Sequence, residues 1–267
     1  MTGSITAPPP PRVLGSSGPA VLLLPGGAEQ VEGFFPGLAE GLLEEPGCRV
    51  ILWDRPGVSG TPGDVLLADA ADHVHEMLSA HGLGPVVAIG QSLGGAVALL
   101  TAVQHPDDIA GLVLLDPTPI NDPRICRQLG RSLRLLAGIR PRSLRKVLAG
   151  RLVNSAGKKL LRRPDLRPEA RPAIQRTMQL DLDLLARSVV GINDVAVRFD
   201  PARLRHVPAA VVTADRKESS PIRKAHVRLA QALGTTVLAW PTAEHSVHLT
   251  HPDEVLDAAR HVVRRVT

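Results

Sequence analysis

The sequence predicts a doubly wound, mostly parallel α/β sheet with a helical cap inserted into it. Three observations carry that expectation. Short, continuous apolar runs recur at AVLLL (20–24), RVILW (49–53), VVAIG (86–90), LVLLD (112–116), AAVVT (209–213) and TVLAW (236–240). They do not alternate with polar residues, as strands buried on both faces of a parallel sheet need not. Helical patterns separate them, and strand–helix alternation of this kind specifies right-handed crossovers.

The elements follow in order. The N-terminal stretch MTGSITAPPPPR reads as an extended, Pro-rich, disordered tail over 1–12. It lacks the basic start and apolar centre of a signal peptide. Between the second and third runs of the sheet, Leu66, Ala70, Val74, Met77 and Leu78 form one apolar stripe of a helix over 64–80. At the C-terminus, Val255, Leu256, Ala259, Val262, Val263 and Val266 share a face of a helix that begins at Pro252. Residues 120–190 contain no strand candidate. Leu129, Leu133 and Leu136, and then Leu144, Val147, Leu148 and Leu152, keep helical spacing there, punctuated by Pro141, Pro164, Pro168 and Pro172. The expected organisation is a core domain of 13–119 and 191–267, interrupted by a helical segment of 120–190.

Composition narrows the function classes. A chain of 267 residues with 44% hydrophobic content supports one sizeable core. No apolar run reaches 18 residues, so stable membrane insertion is not expected. Cys48 and Cys126 are isolated, which argues against a disulfide framework and fits a reducing cytoplasm. No Cys/His spacing suggests a metal site. The net charge of +5 is unevenly placed: residues 121–180 hold 16 of the 31 Lys and Arg but only 3 of the 26 Asp and Glu. Elsewhere 23 acidic residues exceed 15 basic ones. Aromatic residues make up 2% and Tyr is absent, leaving little on which bases would stack, so nucleic acid is not an expected partner. The oligomeric state stays open, a homodimer included.

The stretch with the most chemical content is Gly90-Gln91-Ser92-Leu93-Gly94-Gly95. It lies where the third long apolar run hands over to a helix. A serine on a tight strand-to-helix turn is held in strained backbone geometry with its hydroxyl in the open. The neighbouring positions must be small, because strand and helix pass close together. The helix N-terminus aims backbone N–H groups at any anion formed on that hydroxyl.

Together with LLLPGG (22–27), WDRPGVSGT (53–61), GLVLLDPTP (111–119) and EHSVHLTHPDEV (244–255), this stretch resembles the α/β-hydrolase family, in order and spacing, over nearly the whole chain. The resemblance implies an α/β-hydrolase fold with a lid after the family's sixth strand, here LVLLD. It implies Ser92 as nucleophile and His245 as the base that takes its proton. Glu244 stands where the family usually has Gly. His248 and His251 read as supports of the same loop. The acid behind His245 has two candidates. Asp215 follows the seventh strand of the family but lies two residues before the expected position, which Lys217 holds. Asp116 ends the sixth strand, the position used by a class of haloalkane dehalogenases and by pancreatic-type lipases. The preference is for Asp116, with Asp215 close behind.

The oxyanion hole implied by the resemblance uses the N–H of Leu93 and that of Gly27, with Ala28 as the alternative to Gly27. Pro25 replaces the family's His in that loop and leaves open what braces it. Asp54 and Arg55 read as a structural turn near the mouth of the site. His73 and His75, two apart on a helix, do not face each other and read as surface residues. The basic segment is either a solvated face or an attractor for an anionic substrate or an acidic membrane surface.

The expected activity is that of a serine hydrolase cleaving an ester or related acyl bond of a small molecule, with no metal or organic cofactor. Alternatives on the same residues are C–C bond hydrolysis, cofactor-free haloperoxidase or perhydrolase chemistry, lactonase and thioesterase activity. A non-catalytic binding protein of the same fold is a further alternative. A Ser rather than an Asp at position 92 argues against the carboxylate-nucleophile chemistry of dehalogenases and epoxide hydrolases.

Overall fold

The structure is a computed structural model in which residues 10–58, 66–140, 155, 157–179 and 182–266 are described. Seven strands form one sheet: β1 (Arg12–Leu14), β2 (Ala20–Leu24), β3 (Arg49–Leu52), β4 (Val86–Gln91), β5 (Ile109–Leu115), β6 (Ala209–Thr213) and β7 (Val237–Ala239). Their spatial order is β1-β3-β2-β4-β5-β6-β7. β1 pairs antiparallel with β3, and every other pairing is parallel. The six apolar runs of the sequence are six of these strands. The seventh, β1, lies on the edge and is too short and exposed to stand out in the sequence. It begins at Arg12, inside the stretch read as tail; residues 1–9 of that tail lie outside the described residues.

The continuous apolar character of the strands follows from burial on both faces. Ala20, Leu22 and Leu24 of β2 join Val86 and Ala88 of β4 and Leu112 and Leu114 of β5 in one core layer. Val21 and Leu23, Val87 and Ile89, and Val113 and Leu115 point the other way, into a second layer. The first layer is covered by α2 (Ala70–His81) and α3 (Leu93–Gln104), the second by α1 (Leu38–Glu44) and the C-terminal helix (Pro252–Val263). Val255, Ala259, Val262 and Val263 are buried there, as the periodicity of that helix requires. The helix expected over 64–80 is a single 3₁₀ turn at Leu67–Asp69 followed by α2; residues 64 and 65 are outside the described residues. Cys48 and Cys126 are both free and buried.

The chain leaves the sheet after β5, the fifth strand in this protein's own count, and returns at β6. Between them lie α4 (Pro123–Gly138), α5 (Ala170–Thr177), α6 (Leu182–Ser188) and α7 (Ile192–Arg198). The apolar repeat at 144–152 falls outside the described residues. Among the described residues, no helix is long and apolar enough to cross a membrane.

The turn from β4 into α3 sets the position of Ser92. Its backbone sits at φ 49°, ψ −114°, a left-handed conformation that costs a non-glycine residue about 1–3 kcal/mol. Hydrogen bonds hold it there: Ser92 N–H donates to Leu115 O at 3.0 Å, and Ser92 O accepts from Thr118 N at 2.8 Å and Ala96 N at 3.2 Å. The two glycines of the motif are demanded by contact. A Cβ at Gly90 would lie 2.5 Å from Gly94 O, and one at Gly94 would lie 2.0 Å from Leu24 O. Neither neighbour is a side chain that can turn aside. Gly94→Ala is therefore expected to lower the unfolding free energy by about 3 kcal/mol or more, measured by urea denaturation; a loss under about 1 kcal/mol would contradict the close packing described.

Candidate active site

Three loops at the carboxyl ends of β4, β5 and β7 converge, where open α/β sheets bind ligands. Ser92 follows β4, Asp116 follows β5, and His245 lies beyond β7. His245 Nε2 is 3.0 Å from Ser92 Oγ, and its Nδ1 is 2.5 Å from Asp116 Oδ2. A carboxylate only accepts, so Nδ1 carries the proton. The Nε2 lone pair then faces the Ser92 hydroxyl, which donates to it.

The structure brings Asp116 to His245 and gives Asp215 a different partner. Asp215 accepts the N–H of Thr242 at 2.8 Å, and its own N–H donates to Ala243 O at 2.7 Å. Thr242 has a φ of 65°. Asp215 thus clasps the turn that leads into His245.

Asp116 is 1% exposed. Burial alone pushes a carboxyl pKa up, but the hydrogen bonds from His245 and Arg216 outweigh it and hold Asp116 well below the usual carboxylate range. Arg216 grips both oxygens, with one terminal nitrogen on Oδ1 and the other 2.6 Å from Oδ2. The Ala214 N–H adds a third donor at 2.9 Å. Beneath the pair, His226 is fully buried, and burial lowers its pKa and keeps it neutral. Its Nε2 donates to Pro117 O at 2.8 Å, and its Nδ1 accepts from Thr213 Oγ1 at 2.9 Å.

The loop after β2 runs against Ser92. A Cβ on Gly26 would lie 3.2 Å from Ser92 Cβ and 2.0 Å from Gln91 Oε1. Gln91, buried between strand and loop, donates through Nε2 to His245 O at 3.0 Å and so ties the elbow to the histidine loop. The brace left open by Pro25 comes from the DRPG turn. Arg55, 7% exposed, donates to Gly27 O at 3.3 Å, and Asp54 Oδ1 accepts the Val31 N–H at 2.7 Å. Burial pushes the Arg55 pKa down to about 10, so it stays charged at neutral pH. Leu93 N–H is the first of α3 and has no intrahelical acceptor. Gly27 borders the same cavity. Sequence reasoning placed Arg55 in a structural turn near the mouth of the site without naming its partner, and missed Gln91 and Arg216 as site-building residues.

The cavity at Ser92 has a volume of about 270 Å³. The core domain supplies Ser92, His245, Gly27 and Phe34, and the helices after β5 supply Leu129, Leu133, Leu185 and Val189. Glu29, also in the wall, has its pKa raised by burial and accepts from Thr177 Oγ1 at 2.7 Å. His248 is stacked on Phe34 with ring centroids 4.6 Å apart, and burial brings its pKa down to about 3. It is a neutral packing group of the loop. His251 meets Pro241 O and Thr250 Oγ1 through its two ring nitrogens and stacks on Trp240, and Pro241 O at 3.1 Å fixes a proton on its Nε2. Glu244, the departure from the family's Gly, pairs with Lys159 at 2.7 Å. His75 stacks on His105 at 4.2 Å and reaches Asp108, away from these loops in the sequence.

The family model described as alpha/beta hydrolase fold matches residues 19–252. This chain belongs to the α/β-hydrolase fold family. Lipase LipV of Mycobacterium tuberculosis is 47% identical over 53 residues, 20% of each chain. Monoglyceride lipase of Homo sapiens is 39% identical over 59 residues, 22% of this chain and 20% of the relative. The 2-hydroxy-6-oxo-6-phenylhexa-2,4-dienoate hydrolase of Comamonas testosteroni is 32% identical over 107 residues, 38% of this chain and 37% of the relative. The chain spans about a fifth of the length of these first two relatives, so what they act on is said of them alone. A solved esterase from Thermogutta terrifontis superimposes with TM-score 0.68 at 22% identity, over 96% of this chain and 93% of that one. A hydrolase from Pseudomonas aeruginosa gives 0.70 at 20% identity, over 93% and 91%. At such identities the likeness concerns the fold alone.

The grip of Arg216 on Asp116 makes a pH-dependent prediction. A carboxyl with a depressed folded pKa contributes stability that is complete above its unfolded pKa, about 3.9, and is lost as pH falls toward the folded one. Arg216→Leu leaves that carboxylate buried with fewer donors and is expected to cost about 3 kcal/mol at pH 7. The gap between wild type and variant should narrow as pH drops below about 4, in denaturant titrations at stepped pH. A gap independent of pH would contradict the assignment.

Proposed function

We propose that this protein is a serine hydrolase that cleaves a carboxylic ester or related acyl bond through an acyl-enzyme. The supporting observation is the continuous line of hydrogen bonds from Ser92 Oγ through both nitrogens of His245 to the buried Asp116. Ser92 is the nucleophile. As it attacks the carbonyl carbon, its proton passes to His245 Nε2, and Asp116 stabilises the imidazolium that forms. The N–H groups of Leu93 and Gly27 receive the oxyanion, each worth about 3–4 kcal/mol of transition-state stabilisation. His245 then protonates the leaving oxygen or sulfur. In the second half, it takes a proton from water, and the resulting attack releases the acid and restores Ser92.

Arg216 and Gln91 act as positioning residues. Arg216 keeps Asp116 ionised although buried, and Gln91 fixes the backbone that carries His245. Arg55 braces the oxyanion loop from behind. The helices of 120–190 serve as the lid, since their leucines and valines close the cavity over Ser92. The two free thiols support a reducing, cytoplasmic location. No step calls for a cofactor.

On a panel of esters of graded acyl length, Ser92→Ala should abolish turnover and labelling by a fluorophosphonate probe. Asp116→Asn should reduce kcat by roughly 10⁴, whereas Asp215→Asn should retain activity within about tenfold. The reverse ranking of the two aspartates would remove Asp116 from the mechanism, and an unlabelled Ser92 would favour a binding protein.

A further inference from the structure

A second cavity of about 620 Å³ opens between α4 and the α6–α7 pair. Arg127, Arg131 and Arg134 line one side of it. They stand at i, i+4 and i+7 of α4 and so share one face of that helix. Arg187 comes from the facing wall, with Asp183 and Asp194. Leu133 and Val189 line both this groove and the Ser92 cavity, so the two spaces adjoin through these two side chains.

Many cations of this basic segment have a docking role. Arg163 binds Asp165 and Thr242 O, Arg167 binds Asp253, Arg176 donates to Gly33 O, and Lys159 pairs with Glu244. All four thereby hold the helical segment on the core domain, Arg163 through Thr242. The groove differs. Arg127 reaches Asn193 Oδ1 at 3.5 Å, a neutral acceptor, while Arg131 and Arg134 have no hydrogen bond or ion pair among the described residues. Among the described lining residues, four guanidinium groups stand against two carboxylates, Arg187 and Asp183 already having partners, and leave a charge of about +2, which matches the −1.5 to −2 of a phosphate group. Guanidinium forks also match the geometry of phosphate oxygens.

We propose that this groove is a subsite for a phosphate group carried by the substrate, with the acyl part of the same molecule lying in the Ser92 cavity across Leu133 and Val189. The proposal rests on the hydrolase reading and names its substrate class: an acyl ester or thioester whose leaving group bears phosphate. Arg131 and Arg134 bind the phosphate, and the apolar wall shared by the two cavities guides the acyl chain to Ser92.

Two matched pairs test it and separate the sources of phosphate. Hexanoyl-coenzyme A is compared with the hexanoyl thioester of N-acetylcysteamine, and dihexanoyl phosphatidate with dihexanoylglycerol. The quantity read is the ratio of kcat/KM within each pair, for wild type and for R131Q/R134Q. Wild type should favour the phosphate-bearing member of at least one pair by about tenfold or more. That ratio should fall about tenfold in the double variant and in about 1 M salt, where screening extends over only about 3 Å. Which pair responds tells a soluble phosphate thioester from a phospholipid. Ratios near one in both pairs, or a preference that survives in R131Q/R134Q, overturn the subsite. Calorimetry with pyrophosphate and fluorophosphonate labelling of Ser92, run on the same preparations, keep the two readings apart. Labelled Ser92 without phosphate preference sinks the subsite alone. Pyrophosphate binding that R131Q/R134Q weakens, with Ser92 unlabelled, retains the subsite and sinks the hydrolase.

Discussion

The contact between the start of α3 and the ends of β2 and β4 is the constraint on which the rest of the site depends. Gly94 packs onto Leu24 O, and Gly90 packs onto Gly94, so helix and strand approach as closely as bare backbone permits. That approach forces the left-handed turn at Ser92, and the strain is held by hydrogen bonds to Leu115 and Thr118 rather than relieved. The same bonds fix the end of β5. The residue after Leu115 is Asp116, itself at a positive φ of 44° and bonded through its N–H to Val212 O. One arrangement of backbone therefore sets both ends of the line that His245 completes.

A buried carboxylate is costly unless partners other than the histidine also satisfy it. Arg216 and the Ala214 N–H, both from the turn after β6, supply that environment. On our reading Asp116 remains charged at neutral pH and orders the tautomer of His245. The third strand end contributes through Asp215, which shapes the turn carrying Thr242 and so the entry to His245. Two aspartates that look interchangeable along the chain thus do different jobs: one faces the imidazole, and the other closes a backbone turn.

The fold was largely legible because parallel strands buried on both faces must be apolar throughout, and because Gly90, Ser92 and Gly94 can hardly be packed otherwise at a strand–helix junction. The edge strand Arg12–Leu14 was not legible, since two exposed residues and one half-buried one, paired with β3, leave no pattern. Ser92, His245 and the β2 loop were visible as motifs. The choice between Asp116 and Asp215 was not, because it turns on which carboxylate the strand register swings toward the imidazole. The roles of Gln91 and Arg216, and the partner of Arg55, escaped notice for a similar reason. Each residue acts through a partner distant in the chain: His245 O, Asp116 and Gly27 O. The uneven charge of 121–180 was plain from counting, but only the helix packing sorts its arginines into those that dock on the core and those that face a groove.

The proton between His245 Nδ1 and Asp116 Oδ2, across 2.5 Å, is the most direct witness to the proposed machinery. Proton NMR of the resting enzyme should show one resonance far downfield of the amide region. It should be assignable to His245 by its loss in His245→Gln, absent in Asp116→Asn and retained in Asp215→Asn. A spectrum without such a signal, or one whose signal outlives the removal of the Asp116 carboxylate, would contradict the arrangement at its centre.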